Sequence, residues 1–137
     1  MIAVDTSAIL AIALGEPEEE RFKDVMRHND LVIGWPTLFE TRIVLTAKGF
    51  SKAEIIVARL CEAPNVTPVA FDGKHYQSAQ AAYEIFGKGR HPAALNMGDC
   101  FAYAVAAISK APLLFKGNDF SKTDLKCHPA SPGTDPA

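Results

Sequence analysis

Leu95-Asn96-Met97-Gly98-Asp99-Cys100-Phe101-Ala102-Tyr103-Ala104 holds a contradiction that decides how the rest of the chain is read. Over positions 100–108 the pattern is a helix apolar on every side, with Ala102, Ala104, Ala106 and Ala107 filling the narrow gaps. A helix with no polar face belongs inside a protein. Asp99 nevertheless falls in its first turn, and an isolated carboxylate is costly to bury without a partner. Taken alone, the stretch has a simple reading: Asp99 caps free N–H groups, and its charge suits the positive end of the helix dipole. A metal-binding or catalytic role is the alternative, and the surrounding chain decides between them.

Working outward, short apolar runs alternate with helical patterns. Ile2-Ala3-Val4 predicts a buried strand that delivers Asp5, Thr6 and Ser7 at its carboxyl end, followed by a helix over 8–14. Positions 18–28 predict a second helix, whose acidic run Glu18-Glu19-Glu20 suits a solvated helix start. Leu31-Val32-Ile33 is the next strand, and Pro36 opens a helix over 36–48 with Gly49 as its stop. Within that helix Glu40 shares a face with Ile43, Val44 and Ala47. An acid on a mainly apolar face is a second contradiction, unless Arg42 pairs with it at the surface.

Ser51-Lys52-Ala53-Glu54 has capping-box spacing for a helix over 51–62. Positions 66–71 predict a third strand, with Pro68 confined to a place where no N–H is needed. Asp72-Gly73 then opens a helix that runs to Phe86. The basic loop Gly87-Lys88-Gly89-Arg90-His91-Pro92 has the composition of a mobile connection and leads into the opening stretch. Leu113-Leu114-Phe115 is a fourth strand, followed by Lys116-Gly117-Asn118-Asp119-Phe120, and 124–127 suit a short edge strand. The expected domain is 1–127, and the proline-rich 128–137 reads as a disordered tail.

Composition sets the outer limits. A chain of 137 residues with 48 % hydrophobic and 22 % charged residues is an ordinary globular mix, enough for one core. A net charge of −2 advertises no polyanion partner, so contact with nucleic acid would need a local basic patch or a metal. Cys61, Cys100 and Cys127 are odd in number and widely spaced, which fits free thiols in a reducing cytoplasm. The apolar start carries Asp5, lacks a basic leader and is too short to span a bilayer, so no membrane role is expected.

Alternating strands and helices imply a three-layer α/β/α domain: a short, mostly parallel sheet of four to five strands with helices on both faces. Ligands in such folds collect beyond the carboxyl ends of the strands. Asp5 and Asp119 follow strands there, and Glu40 and Asp99 open helices. Four carboxylates at one end repel one another and call for a cation. Oxygen donors without Cys or His suit Mg²⁺, with Mn²⁺ as a substitute. Thr6, Ser7 and Asn118 add neutral oxygens beside the acids, and Asn96 can cap the helix in place of Asp99.

Val4-Asp5-Thr6-Ser7, Glu40, the 95–104 stretch with Arg90-His91-Pro92 before it, and Lys116-Gly117-Asn118-Asp119-Phe120 together resemble a PIN domain. The similarity is greatest to the VapC toxins of bacterial toxin–antitoxin pairs, and it runs in order from residue 1 to about 126. The resemblance implies a metal-dependent endoribonuclease in which Asp5, Glu40 and Asp99 hold Mg²⁺. Asp119 would complete the outer shell or hold a second ion, and Ser7 and Asn118 would orient water and ligands. It also implies a homodimer, an RNA substrate and a VapB-type antitoxin that inserts a segment into the site. Lys88, Arg90 and Lys116 are the expected RNA phosphate contacts, on position rather than motif.

Three rival readings fit the chain less well. A haloacid-dehalogenase-like phosphatase needs a second Asp two residues after the first, where this chain has Ser7. A receiver-like module would need a pair of acids near the end of the first strand, which is absent. A catalytically silent PIN-like module, binding RNA or protein, is opposed by the full set of four acids.

Overall fold

The computed structural model describes residues 1–132. Four parallel strands, β1 (Ile2–Val4), β2 (Leu31–Gly34), β3 (Val66–Val69) and β4 (Leu113–Leu114), form one sheet in the order β3-β2-β1-β4. Six α-helices connect them: α1 (Thr6–Ala13), α2 (Glu19–Arg27), α3 (Trp35–Ala47), α4 (Ala53–Glu62), α5 (Gly73–Phe86) and α6 (Met97–Ser109). The strands are short, two to four residues each, and both faces of the sheet are covered by helices.

The period-two alternation of each strand sorts the core into two layers. Ala3, Val32, Leu113 and Phe115 point to the face covered by α5 and α6, where Ala82, Cys100, Ala102, Val105 and Ala106 meet them. Ile2, Val4, Leu31, Ile33 and Leu114 point the other way, toward Ala8, Ile9 and Ala11 of α1, Phe22 of α2 and Leu38 of α3. The alanines of α6 let it lie close to the sheet. A Cβ on Gly34 would stand only 2.8 Å from Val105 Cγ2, so that junction of β2 and α3 requires glycine.

Several boundaries differ from the sequence expectation for physical reasons. α1 starts at Thr6 rather than 8, because Asp5 is its N-cap and brings Thr6 and Ser7 into the first turn. The capping box expected at Ser51 does not form: Lys52 is the N-cap with no side-chain bond, and Glu54 pairs with Arg42 at 3.3 Å. Pro68 is accommodated because β3 is an edge strand. The fifth strand reduces to one parallel bridge between Leu113 and Cys127. From His128 the chain packs back on β4, where the buried Ser131 hydroxyl accepts the Phe115 amide at 3.1 Å and donates to the Leu113 carbonyl at 3.2 Å. Positions 133–137 of the expected tail lie outside the described residues. The basic loop is clasped rather than loose, with Lys88 N–H donating to Leu95 O and Leu95 N–H to Phe86 O, both at 3.0 Å.

Among the described residues no helix is long and apolar enough to cross a membrane. Cys61, Cys100 and Cys127 are free thiols, and burial pushes the Cys100 thiol up to about 11, which keeps it inert.

Candidate metal centre and active site

Asp5 leaves the carboxyl end of β1 and turns its side chain back to cap α1. Its Oδ2 accepts the Ser7 amide at 3.0 Å and the Ser7 hydroxyl at 2.6 Å. Ser7 Oγ accepts the Lys116 amide at 2.9 Å, so one hydroxyl ties the end of β1 to the end of β4. Asp5 is only 5 % exposed. Burial pushes its carboxyl up to about 7; the Ser7 bonds oppose this, and the charges of Asp99 and Glu40 add to it.

Glu40 is half-buried on α3, where Thr6 donates its hydroxyl to Oε1 at 2.6 Å. Thr41 Oγ1 stands 2.8 Å from the Thr37 carbonyl and 3.3 Å from Thr6 Oγ1, which extends the network into the core. The core face of α3 is Thr37, Leu38, Thr41 and Leu45. Its neighbours on the outer face, Phe39 and Ile43, are 66 % and 51 % exposed. The face that Glu40 shares with Ile43 is therefore an exposed apolar strip and not core. Arg42, committed to Glu54, leaves Glu40 without the surface partner that would have made it ordinary.

Asp99 does cap its helix. Asn96 Oδ1 accepts the Asp99 amide at 2.9 Å, and Asp99 Oδ2 accepts the Asn96 amide at 3.0 Å, a reciprocal box. That engages one carboxylate oxygen. Burial still pushes the Asp99 carboxyl up to about 6; the Asn96 amide pulls it down, and the charges of Asp119 and Glu40 push it further up. Asp119 is exposed at the start of the short 3-10 helix Phe120–Lys122 and makes no capping bond there.

Charge interactions run from Asp99 and Glu40 to Asp5, and from Asp119 and Glu40 to Asp99. Among the described residues no three acid, histidine or cysteine side chains already form a ready-made metal cage. Instead, Ser7, Thr6 and Asn96 each hold one acid from the side. The donors are all oxygens, and two of them carry excess proton affinity that a divalent cation would relieve, so the residues suit a hard divalent cation.

The remaining predicted residues divide. Asn118 is exposed, and its backbone carbonyl accepts the Ser121 hydroxyl at 3.0 Å. Lys116 Nζ lies 3.1 Å from Glu16 and 3.3 Å from Glu18, so its ammonium closes the α1–α2 turn. Lys88 and Arg90 are exposed, and the Arg90 guanidinium sits 5.7 Å over the Tyr83 ring. Lys88 rims a cavity of about 640 Å³ whose lining includes Phe71, Tyr76, Tyr83, Asn96 and Phe101. Sequence reasoning missed Thr37 and Thr41, which carried a signal, two hydroxyls four apart on an apolar helix face.

Residues 2–126 match the PIN domain. Over 129 residues the chain is 38 % identical to ribonuclease VapC30 of Mycobacterium tuberculosis, covering 90 % of this chain and 95 % of that one. The chain belongs to the VapC ribonucleases of the PIN-domain family. This PIN domain shares its fold with M. tuberculosis VapC20, a sarcin–ricin loop cleaving toxin, at a TM-score of 0.75 and 18 % identity, covering 91 % of this chain and 96 % of that one. It shares it also with VapBC2 of Rickettsia felis, solved on a DNA fragment from the promoter, at a TM-score of 0.68 and 16 % identity, covering 93 % and 98 %.

Proposed function

We propose that the chain is a Mg²⁺-dependent endoribonuclease toxin, active as residues 1–127 and silenced by a VapB-type antitoxin. The observation that carries this reading is the coupled acid group. Asp5 and Asp99 hold their protons to about 7 and about 6 because burial and neighbouring acids oppose their charge. Asp5, Glu40 and Asp99 would hold the cation, with Asp119 at its exposed edge. When bound, Mg²⁺ supplies Lewis acidity toward the phosphodiester and the attacking water. Ser7 and Thr6 fix the carboxylates of Asp5 and Glu40, and the Asn96 amide fixes that of Asp99.

RNA suits the surroundings better than a small phosphoester. The cavity between α5 and α6 reaches Asn96 and Met97 beside the acids, and its Phe71, Tyr76, Tyr83 and Phe101 rings offer stacking faces for unpaired bases. Lys88 at its margin, Arg90 over the Tyr83 ring, and Lys116 are the phosphate contacts in this reading. Trp35, Phe39 and Ile43 form an exposed apolar strip along α3 that suits a second copy of the chain, hence a homodimer. The expected setting is the cytoplasm, where the thiols stay reduced and RNA is at hand.

The test is cleavage of total RNA by the purified protein, with the ends mapped. Cuts leaving 5′-phosphate and 3′-hydroxyl ends, present with Mg²⁺ and absent with EDTA, are expected. Equal cleavage with EDTA, or 2′,3′-cyclic ends, would refute metal-assisted hydrolysis.

A further inference from the structure

We propose that Gly98 is a positioning residue: the space left by its missing side chain seats the Glu40 carboxylate among the other acids. The inference rests on reading those acids as a cation site, and it concerns how one of them is kept there.

Glu40 comes from α3 and has three rotatable bonds, so it must be held to be useful at α6. Two contacts do this from different helices. Thr6 donates to Oε1 at 2.6 Å from the first turn of α1. On the other side, the carboxylate occupies the place where a Gly98 Cβ would be. That Cβ would overlap Oε2, lie 2.6 Å from Cδ and 2.8 Å from Oε1. Thr6 and Gly98 thus act as two jaws, one polar and one steric.

The backbone does not require glycine at this position. Gly98 is absent from the residues with positive φ, which include Gly15, Gly49, Gly89 and Gly117 among the glycines, so its backbone suits any L residue. It lies in the first turn of α6, where alanine is the better helix former. The three atoms nearest to an added methyl all belong to the far end of the flexible Glu40 side chain. Gly34 differs, because its missing Cβ faces Val105 in the core. A methyl at Gly98 should therefore leave the fold intact and turn Glu40 away, breaking its bond to Thr6.

Mn²⁺ binding to the metal-free full chain, without RNA, tests this through the electron paramagnetic resonance of free Mn²⁺. Wild type should bind, and Gly98→Ala should bind about tenfold more weakly or worse, with a melting temperature no lower than wild type. In a Glu40→Gln background, adding Gly98→Ala should change Mn²⁺ affinity less than about twofold, because the acid through which it acts is already gone. Wild-type affinity in Gly98→Ala, or the same loss in both backgrounds, would overturn the proposal. So would a Gly98→Ala protein that loses its fold, since the space would then serve packing. Failure of wild type itself to bind Mn²⁺ would refute the cation site, and this inference with it, a result distinct from the other three.

Discussion

α5 and α6 begin with similar chemistry and end with opposite electrostatics. At α5, Asp72 is the N-cap; its Oδ1 accepts the amides of Lys74 and His75 at 3.0 and 3.3 Å and faces His75 Nδ1 at 2.8 Å. At α6, Asn96 is the N-cap and Asp99 closes the box from three residues further on. Each helix start has an aspartate in a reciprocal capping arrangement. Yet the His75 side chain, then its amide, holds the Asp72 carboxyl below the usual range, while burial lifts Asp99 to about 6 with Asp119 and Glu40 adding to the rise. Capping and chemistry are therefore not rival explanations of a helix-start acid. The cap is written locally, and the neighbours from other elements decide whether the same carboxylate also does chemistry.

The largest expected effect comes from removing each charge in turn. Asp99→Asn should lower RNA cleavage by roughly 100-fold or more, while its amide oxygen still accepts from Asn96 and the metal-free fold melts no lower. Asp72→Asn should leave cleavage within about twofold and lower the melting temperature, because its losses are confined to a cap and a His75 contact. Matched initial rates and melting curves on the two variants check this; comparable cleavage losses in both would erase the distinction.

A smaller effect concerns pH and sharpens the comparison through Asp5. Its carboxyl titrates near 7 in the fold against 3.8 in the unfolded chain, so the folded state holds the proton more tightly. The stability this contributes is full below about pH 4 and is lost as pH rises through 7. From pH 6 to pH 8 the metal-free protein should lose about 1.4 kcal/mol from this group, the linkage value for one extra proton held by the folded state over about one pH unit. Denaturant melts at the two pH values should show the loss in wild type and Asp72→Asn but not in Asp5→Asn. A pH-independent wild type would mean that Asp5 is not strained by its burial.

Much of the fold was legible because both of its periods are local. Ile2-Ala3-Val4 and Leu31-Val32-Ile33 read as buried strands from their apolar runs, and the all-round apolar pattern of α6 placed it in the core. The candidate acids were legible as well, since Asp5, Glu40 and Asp99 are carboxylates against an apolar background and Asp119 stands in the loop after β4. What supports them was not. Thr6 reaches Glu40 across 34 positions and Lys116 reaches Ser7 across 109, and no local pattern encodes such pairs. The same reason hid the Lys116 contacts to Glu16 and Glu18, the docking of Ser131 on β4, and the use of Gly98. Ser51 to Glu54 failed in the opposite sense, since a correct local motif lost Glu54 to Arg42 on the neighbouring α3.

The most direct test of the central claim is a melting curve against Mn²⁺ concentration for three metal-free proteins: wild type, Asp72→Asn and Asp99→Asn. Ligand linkage adds about 2.7 kcal/mol at a hundredfold excess over Kd, so wild type and Asp72→Asn should both rise with added metal, while Asp99→Asn stays flat. A flat wild-type curve, or an Asp99→Asn curve that climbs with the other two, would contradict a cation site built on these acids.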